Sequence, residues 1–149
     1  MKTKVPPAPI VEVRNLQRKI ALSAIELKEF ARKAVACSPG LPKKRKINLT
    51  KLNEILILII SDRRMAALHR RFRNEAGPTD VLTFQHGEIF ISAETALRNA
   101  RRFGNTLVRE VELYIVHGLL HLQGFDDRNP ADTRKMRAAE EKLLHRLRR

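Results

Sequence analysis

The sequence contains no tryptophan, one tyrosine and one cysteine among its 149 residues. Because Cys37 is alone, no disulfide can form within the chain, which is typical of a protein from a reducing, cytoplasmic compartment. Aromatic residues make up 5% of the chain, and most of the phenylalanines stand at positions expected in the core. The sequence therefore predicts no aromatic platform for stacking nucleic-acid bases.

Long apolar segments are also missing. The longest aliphatic run, Ile55 to Ile60, is far too short to cross a bilayer. The first ten residues are basic and proline-rich and lack the apolar core of a signal peptide. The glycine-rich G-x-x-x-x-G-K run that cradles nucleotide phosphates is absent as well. We expect a cytoplasmic protein without a membrane partner.

Acidic residues are scarce relative to basic ones. The chain has 30 lysines and arginines against 16 aspartates and glutamates, a formal net charge of +14. Such an excess favours a polyanionic partner, most commonly nucleic acid. Arginines cluster on the outer faces of two predicted helices, and the candidate nucleic-acid contacts are Arg64, Arg70, Arg71, Arg98, Arg101 and Arg102.

The apolar patterning predicts a single α+β domain over residues 1–149, with a flexible lead-in over residues 1–9. The continuous apolar run at 54–60 is typical of a strand covered on both faces. Shorter strands are expected at 10–13, 81–84 and 88–92, and helices over 22–37, 62–73, 92–102, 111–122 and from 130 onward. The prediction is a small mixed sheet of about four strands packed with about five helices, one of them a metzincin-like metal helix.

The candidate metal helix ends in the stretch His117-Gly-Leu-Leu-His121-Leu-Gln-Gly124-Phe-Asp-Asp127. Histidines four residues apart project from the same face of a helix, one turn from each other, and can share one metal ion. Gly124 is expected to end the helix, so that the chain folds back and brings Asp126 or Asp127 towards the histidines. The spacing matches the metzincin pattern H-x-x-x-H-x-x-G-x-x-H, with a carboxylate in place of the last histidine.

Three ligands without a fourth are the pattern of an open, catalytic zinc site. A histidine pair at this spacing can also be two packed side chains without a metal, and the choice between Asp126 and Asp127 stays open. Gly118 stands where the zincin motif H-E-x-x-H has the glutamate that acts as general base. The sequence therefore favours a metal site and disfavours a metalloprotease.

Two segments together resemble the YbeY family of bacterial metal-dependent endoribonucleases and rRNA maturation factors. The first is Gly77-Pro-Thr-Asp-Val-Leu-Thr-Phe84, preceded by Leu68-His-Arg-Arg-Phe-Arg73 and followed by Gly87-Glu-Ile-Phe-Ile-Ser92. It is similar to the family's N-x-x-Y-R, P-T-D-V-L-S-F and G-D-I-x-I-S block. The second is the histidine stretch, which is similar to H-G-x-L-H-L-x-G-Y-D-H. The resemblance extends from about Ile55 to Leu144.

The resemblance implies an endoribonuclease that acts in rRNA maturation and ribosome quality control. RNA would be its partner, as rRNA precursor and in the small ribosomal subunit. It implies one zinc ion held by His117, His121 and the residue at the place of the family's third histidine, which here is Asp127. A carboxylate is a competent zinc ligand, although oxygen ligands also suit Mn²⁺. Arg73 matches the family's arginine near the active site. Asp126 is a candidate general base, or a residue that orients a metal ligand.

A second interpretation is an RNA-binding or ribosome-assembly factor whose metal is structural and which catalyses nothing. A fourth protein ligand closing the metal site would favour it. The chain also departs from the family pattern at His69, where asparagine is usual, and at Phe72, where tyrosine is usual.

Overall fold

The computed structural model describes residues 8–39, 49–74, 77 and 79–148. The predicted α+β class is confirmed, since the described part forms one small domain with five α-helices around a four-stranded mixed sheet. Residues 1–7 of the expected lead-in lie outside the described residues. The strands are β1 (Ile10–Asn15), β2 (Glu54–Ile60), β3 (Val81–Phe84) and β4 (Glu88–Ser92). The helices are α1 (Ala24–Cys37), α2 (Asp62–Arg73), α3 (Ala93–Arg102), α4 (Leu107–Leu122) and α5 (Pro130–Leu147).

The sheet has the strand order β1-β2-β4-β3. Strands β1, β2 and β4 run parallel, and β3 pairs antiparallel with β4 at one edge. On one face Ile55, Ile57 and Ile59 of β2 join the core formed with α1 and α4. On the other face Leu58 and Ile60 pack with residues of α2. The predicted burial of β2 on both faces is therefore confirmed.

Hydrogen bonds and an ion pair connect the N-terminus of α2 with α3. Ser61 caps α2 as its sequence position suggests, because its hydroxyl accepts a hydrogen bond from the Arg64 N–H. Ser92 occupies the corresponding position before α3 but makes no such cap, and its hydroxyl donates instead to Asp62. Asp62 also forms an ion pair with Arg98 at 2.7 Å. Partial burial opposes the charge of Asp62, but the hydrogen bonds from Arg98 and Ser92 outweigh it and lower the pKa of this carboxyl.

The segment between α4 and α5 reverses the chain. Helix α4 ends at Leu122, and Gly124 adopts φ 101°, a conformation that glycine tolerates far better than other residues. Asn129 caps α5 by accepting a hydrogen bond from the Asp132 N–H, and Pro130 occupies the first helical turn. The helix ends just before Gly124, as predicted, and residues 125–129 fold back towards the end of α4. Of the helices that the structure describes, none combines the length and apolar character needed to span a bilayer.

Gly118 lets α4 approach the sheet closely. A Cβ at this position would lie 2.8 Å from both Cδ1 and Cγ2 of Ile89, which is fully buried in β4. Carbon atoms in ordinary contact lie about 3.5–4.0 Å apart. The position where a zincin carries its general base therefore faces the core here, and a side chain there would have to displace Ile89.

We expect Gly118→Ala to lower the free energy of unfolding. Overpacking against Ile89, at about 1–3 kcal/mol, opposes the gain of about 1 kcal/mol that alanine brings to a helix interior. In an Ile89→Ala background the clash disappears, so the same change should stabilise the protein. Urea denaturation of the four proteins measures both effects and their coupling. An equal cost of Gly118→Ala in both backgrounds would contradict the close-approach explanation.

Candidate metal centre

Three side chains converge at the end of α4. The Nε2 atoms of His117 and His121 lie 3.1 Å apart, and Oδ2 of Asp127 lies 3.6 Å from each of them. Four-coordinate zinc with bonds of about 2.0–2.2 Å holds its ligand atoms roughly 3.3–3.6 Å from one another. The three donor atoms therefore fit one metal ion, and these residues form a group that could hold it.

The opposite side of each imidazole ring is held by an acceptor. Nδ1 of His117 lies 2.6 Å from Oε1 of Glu140, and Nδ1 of His121 lies 3.0 Å from the carbonyl oxygen of Phe125. A carbonyl oxygen and an ionised carboxylate offer only lone pairs, so both Nδ1 atoms donate their hydrogen. In the neutral rings both Nε2 lone pairs then point at the same place. The two Nε2 atoms lie 3.1 Å apart, so their lone pairs repel each other unless a proton or a cation lies between them.

The two histidines also differ in their affinity for protons. Burial disfavours the charged form of His117, but the hydrogen bond and charge of Glu140, with the charge of Asp127, raise its pKa above the ordinary value. For His121, burial and the nearby charge of His117 lower the pKa. A proton on the pair therefore resides on His117, and a metal ion binding there must displace it.

Sequence reasoning missed Glu140. This residue lies on α5, 23 positions from His117, and its side chain is 15% exposed. A local signal exists, because Glu140 follows one turn after buried Met136 and precedes buried Leu143, and a carboxylate beside an apolar stripe needs a partner. The sequence does not identify that partner, since only the packing of α5 on α4 brings Glu140 to His117.

The three candidate ligands lie in an open cleft. A cavity of about 460 Å³ extends from His117 and His121 along the edge strand β3 to the end of α2. His69 lies on its wall, where Nδ1 is 3.0 Å from the carbonyl oxygen of Gly77. A second cavity, of about 280 Å³, continues on the other side of His117 between α4 and α5 and includes Arg137. The candidate centre is thus accessible to an extended ligand.

The two aspartates of the loop have different surroundings. Asp127 groups with the histidines. Asp126 lines the cleft but turns its oxygens elsewhere: Oδ1 accepts the Asp127 N–H at 3.0 Å, and Oδ2 pairs with Nε of Arg128 at 3.3 Å. Of the two alternatives that the sequence left open, the geometry favours Asp127, which groups with the histidines.

The arginines of α2 face in two directions. Arg73, in the last turn, lines the same cleft as His117. Arg70 and Arg71 line a separate shallow cavity on the outer surface of α2, together with Arg63. Arg64 is exposed in the first turn of the helix. Among the candidate arginines on this helix, Arg73 is the one that the structure brings to the histidines.

The arginines of α3 lie outside the cleft walls as far as the structure describes them. Arg98 is held by Asp62, and its other terminal nitrogen donates to Thr95. Arg101 and Arg102 are exposed in the last turn of α3, where the Arg102 guanidinium lies 5.5 Å from the ring centre of Phe103. The fold therefore does not gather all the predicted nucleic-acid contacts around the metal group.

A protein-family model described as Endoribonuclease YbeY matches residues 12–148. One relative, the Endoribonuclease YbeY of Anaeromyxobacter sp., is 41% identical over 100 residues, which are 60% of this chain and 52% of that protein. The Thermodesulfovibrio yellowstonii protein of the same name is 29% identical over 153 residues, covering 92% of this chain and 96% of its own. The chain spans only about half the length of the Anaeromyxobacter relative.

A solved structure supports the same fold. The solution structure of TM1509 from Thermotoga maritima superposes with a TM-score of 0.59 at 25% sequence identity. The match covers 93% of this chain and 92% of that one. The similarity therefore extends over nearly the entire chain.

We expect Glu140→Gln to weaken binding of zinc about tenfold and Glu140→Ala to weaken it further, within the 10–100-fold range known for partners of metal-binding histidines. Glutamine keeps an acceptor for the His117 Nδ1–H but loses the charge, whereas alanine loses both. Competition titration with a coloured chelator measures the affinities, and circular dichroism checks the fold. Glu141→Gln, on the exposed neighbouring position, is the matched control. Unchanged zinc affinity in Glu140→Ala would show that this contact does not support the site.

Proposed function

The chain belongs to the Endoribonuclease YbeY family, and we propose from that premise that it is a metal-dependent endoribonuclease. The observation that carries the proposal is the convergence of three side chains that could hold a metal ion, in an open cleft that also contains Arg73. The formal charge of +14 favours a polyanionic substrate. Incubation of the purified protein with an rRNA precursor, with and without chelator, tests the proposal directly.

In this proposal His117, His121 and Asp127 hold one divalent ion. When bound, the ion supplies Lewis acidity and lowers the pKa of water to about 7, so that water can attack a phosphodiester at neutral pH. Glu140 keeps His117 in the tautomer whose Nε2 is free to bind, and the Phe125 carbonyl does the same for His121. Among the described residues the group has three members, which is the pattern of an open, catalytic site. That pattern disfavours an assembly factor with a purely structural metal.

Arg73 provides the positive charge that the reaction needs. Its planar guanidinium offers several N–H donors in a fixed fork, which suits two oxygens of one phosphate. Negative charge grows on those oxygens as the attacking oxygen adds to phosphorus, and a positioned donor stabilises it. Asp126 accepts the backbone N–H of Asp127 and pairs with Arg128. These contacts favour a role in orienting Asp127 over a role as general base.

The identity of the metal and the class of RNA are the next parts of the proposal. Zinc suits two imidazoles and a carboxylate, but the carboxylate in place of the family's third histidine also suits Mn²⁺. As substrate we propose single-stranded regions of rRNA precursor, with the small ribosomal subunit as partner. Arg64, Arg70, Arg71, Arg101 and Arg102 would contact backbone phosphates outside the cleft, and Arg98 would do so only by leaving Asp62.

We expect Asp127→Ala to lower zinc affinity and abolish RNA cleavage, while RNA binding persists and weakens with salt as phosphate contacts do. Asp127→His should bind zinc more tightly than the natural chain and discriminate better against manganese, because an imidazole replaces an oxygen ligand. Metal analysis and cleavage of an rRNA precursor compare the three proteins side by side. Full metal occupancy and full cleavage in Asp127→Ala would exclude Asp127 as a ligand.

We expect Arg73→Gln to reduce the rate of cleavage about 10²–10³-fold, as loss of one donor to the transition state does. Zinc content should not change, because Arg73 belongs to α2 and lies outside the ligand group. Arg32→Gln, on the exposed side of α1, is the matched control for the loss of one positive charge. A loss confined to RNA affinity, with an unchanged rate at saturating RNA, would assign Arg73 to binding alone.

A further inference from the structure

Four flat side chains form a continuous row on the surface beside α2. The ring centres of Phe72 and Phe84 lie 5.3 Å apart, and His86 stacks on Phe84 with centres 6.0 Å apart and an angle of 29° between the planes. The guanidinium of Arg71 lies 5.3 Å from the centre of the Phe72 ring. We call Arg71, Phe72, Phe84 and His86 the aromatic row.

Two rings of the aromatic row are largely exposed to solvent. Phe72 is 51% exposed, and the side chain of His86 is 67% exposed. Phe84 is half-buried, because its ring also makes an edge contact with Phe90 in the sheet. Phe72 and His86 therefore reach solvent, and the Phe84 ring between them contacts both. His86 is also held by Glu88. The sequence predicted no such platform, because the members of the row come from α2, β3 and the β3–β4 turn and meet only in the fold.

Three members of the aromatic row are chain neighbours of residues that line the cleft. Phe72 immediately precedes Arg73, and Gln85 lies between Phe84 and His86; both Arg73 and Gln85 line the cleft with His117. The Gln85 side chain also donates to the backbone carbonyl of His121 at 3.4 Å. An RNA strand that leaves the cleft past Arg73 or Gln85 would therefore come near the aromatic row.

We propose that the aromatic row is a base-stacking subsite for unpaired nucleotides next to the phosphodiester held in the cleft. Bases stack on aromatic side chains and on arginine, and each stacked base contributes roughly 1–3 kcal/mol. A duplex keeps its bases stacked inside and cannot use such a surface. Arg71 within the row and its chain neighbour Arg70 are both exposed. Their positive charge suits the RNA backbone and favours RNA over an apolar segment of a protein. This inference rests on the proposed function, because it extends the same RNA path.

Because the chain has no tryptophan, a single introduced tryptophan can report on the aromatic row by its fluorescence. Phe72→Trp introduces the only tryptophan of the chain, and its fluorescence can be titrated with a short single-stranded RNA, an abasic oligonucleotide of equal length and a matched duplex. Chelator prevents cleavage, and the aromatic row contains no metal ligand. We expect quenching by the single-stranded RNA and little change with the other two. Ile25→Trp is the matched control, because Ile25 is 79% exposed on α1 and lies outside the cleft lining.

Affinity measurements test the same site without a reporter. Phe72→Leu keeps apolar packing but removes the flat ring, and it should weaken binding of single-stranded RNA about fivefold or more, the lower limit for one stacked base. Binding of the abasic oligonucleotide should not change, and the control Ile25→Ala should change neither affinity. Unchanged RNA affinity, or equal losses for RNA, abasic chain and duplex, would overturn the proposal. If the aromatic row docks a protein instead, RNA affinity should not change in Phe72→Leu and no base-dependent quenching should occur.

The two proposals can fail separately. Metal-dependent cleavage by the natural chain tests the nuclease function and does not involve Phe72→Trp. Base-dependent quenching in chelator tests the aromatic row and does not involve cleavage. Quenching without cleavage would leave an RNA-binding protein with a stacking subsite, and cleavage without quenching would leave a nuclease whose exposed rings have another role.

Discussion

Helix α4 is enclosed on two sides, and the rest of the structure depends on how it is held. One stripe, with Ile115 and Leu119, packs into the core beneath the sheet, where Gly118 allows the backbone to approach Ile89. A second stripe, with Val116 and Leu120, packs against α5. The remaining stripe carries the histidines into the cleft. Because both flanks are buried, the imidazoles project from a rigid support, which is what a preorganised metal site requires.

The same packing decides which groups surround the candidate metal. Docking α5 on α4 brings Glu140 to His117, and the turn at Gly124 brings both the Phe125 carbonyl to His121 and Asp127 to the open side. Each imidazole is therefore fixed from behind by an acceptor and faces a carboxylate in front. Burial alone would lower the pKa values of both rings. The unequal placement of Glu140 separates them and makes His117 the ring for which a proton and a metal ion compete.

Much of the fold could be predicted because its signals are local. The continuous apolar run of β2, the caps at Ser61 and Asn129, and the glycine after α4 each reflect chemistry within a few residues. The spacing from His117 to Asp127 is local as well, so the candidate ligands could be proposed from the sequence. Glu140, the Ser92 bond to Asp62 and the aromatic row depend on residues that are distant in the chain. No periodicity specifies such pairs, because they exist only after the helices have packed on the sheet.

The carboxylate at position 127 lowers the net charge of the proposed metal centre. With a divalent ion bound, the charges of Asp127 and Glu140 together cancel the charge of the metal, whereas a histidine at position 127 would leave the centre positive. A phosphodiester approaching a nearly neutral centre gains less attraction from it. In the proposed function, more of that attraction would then come from Arg73 within the cleft. An RNA path that adds stacking on Phe72 to charge contacts would offset part of the difference, because stacking does not depend on the charge of the metal centre.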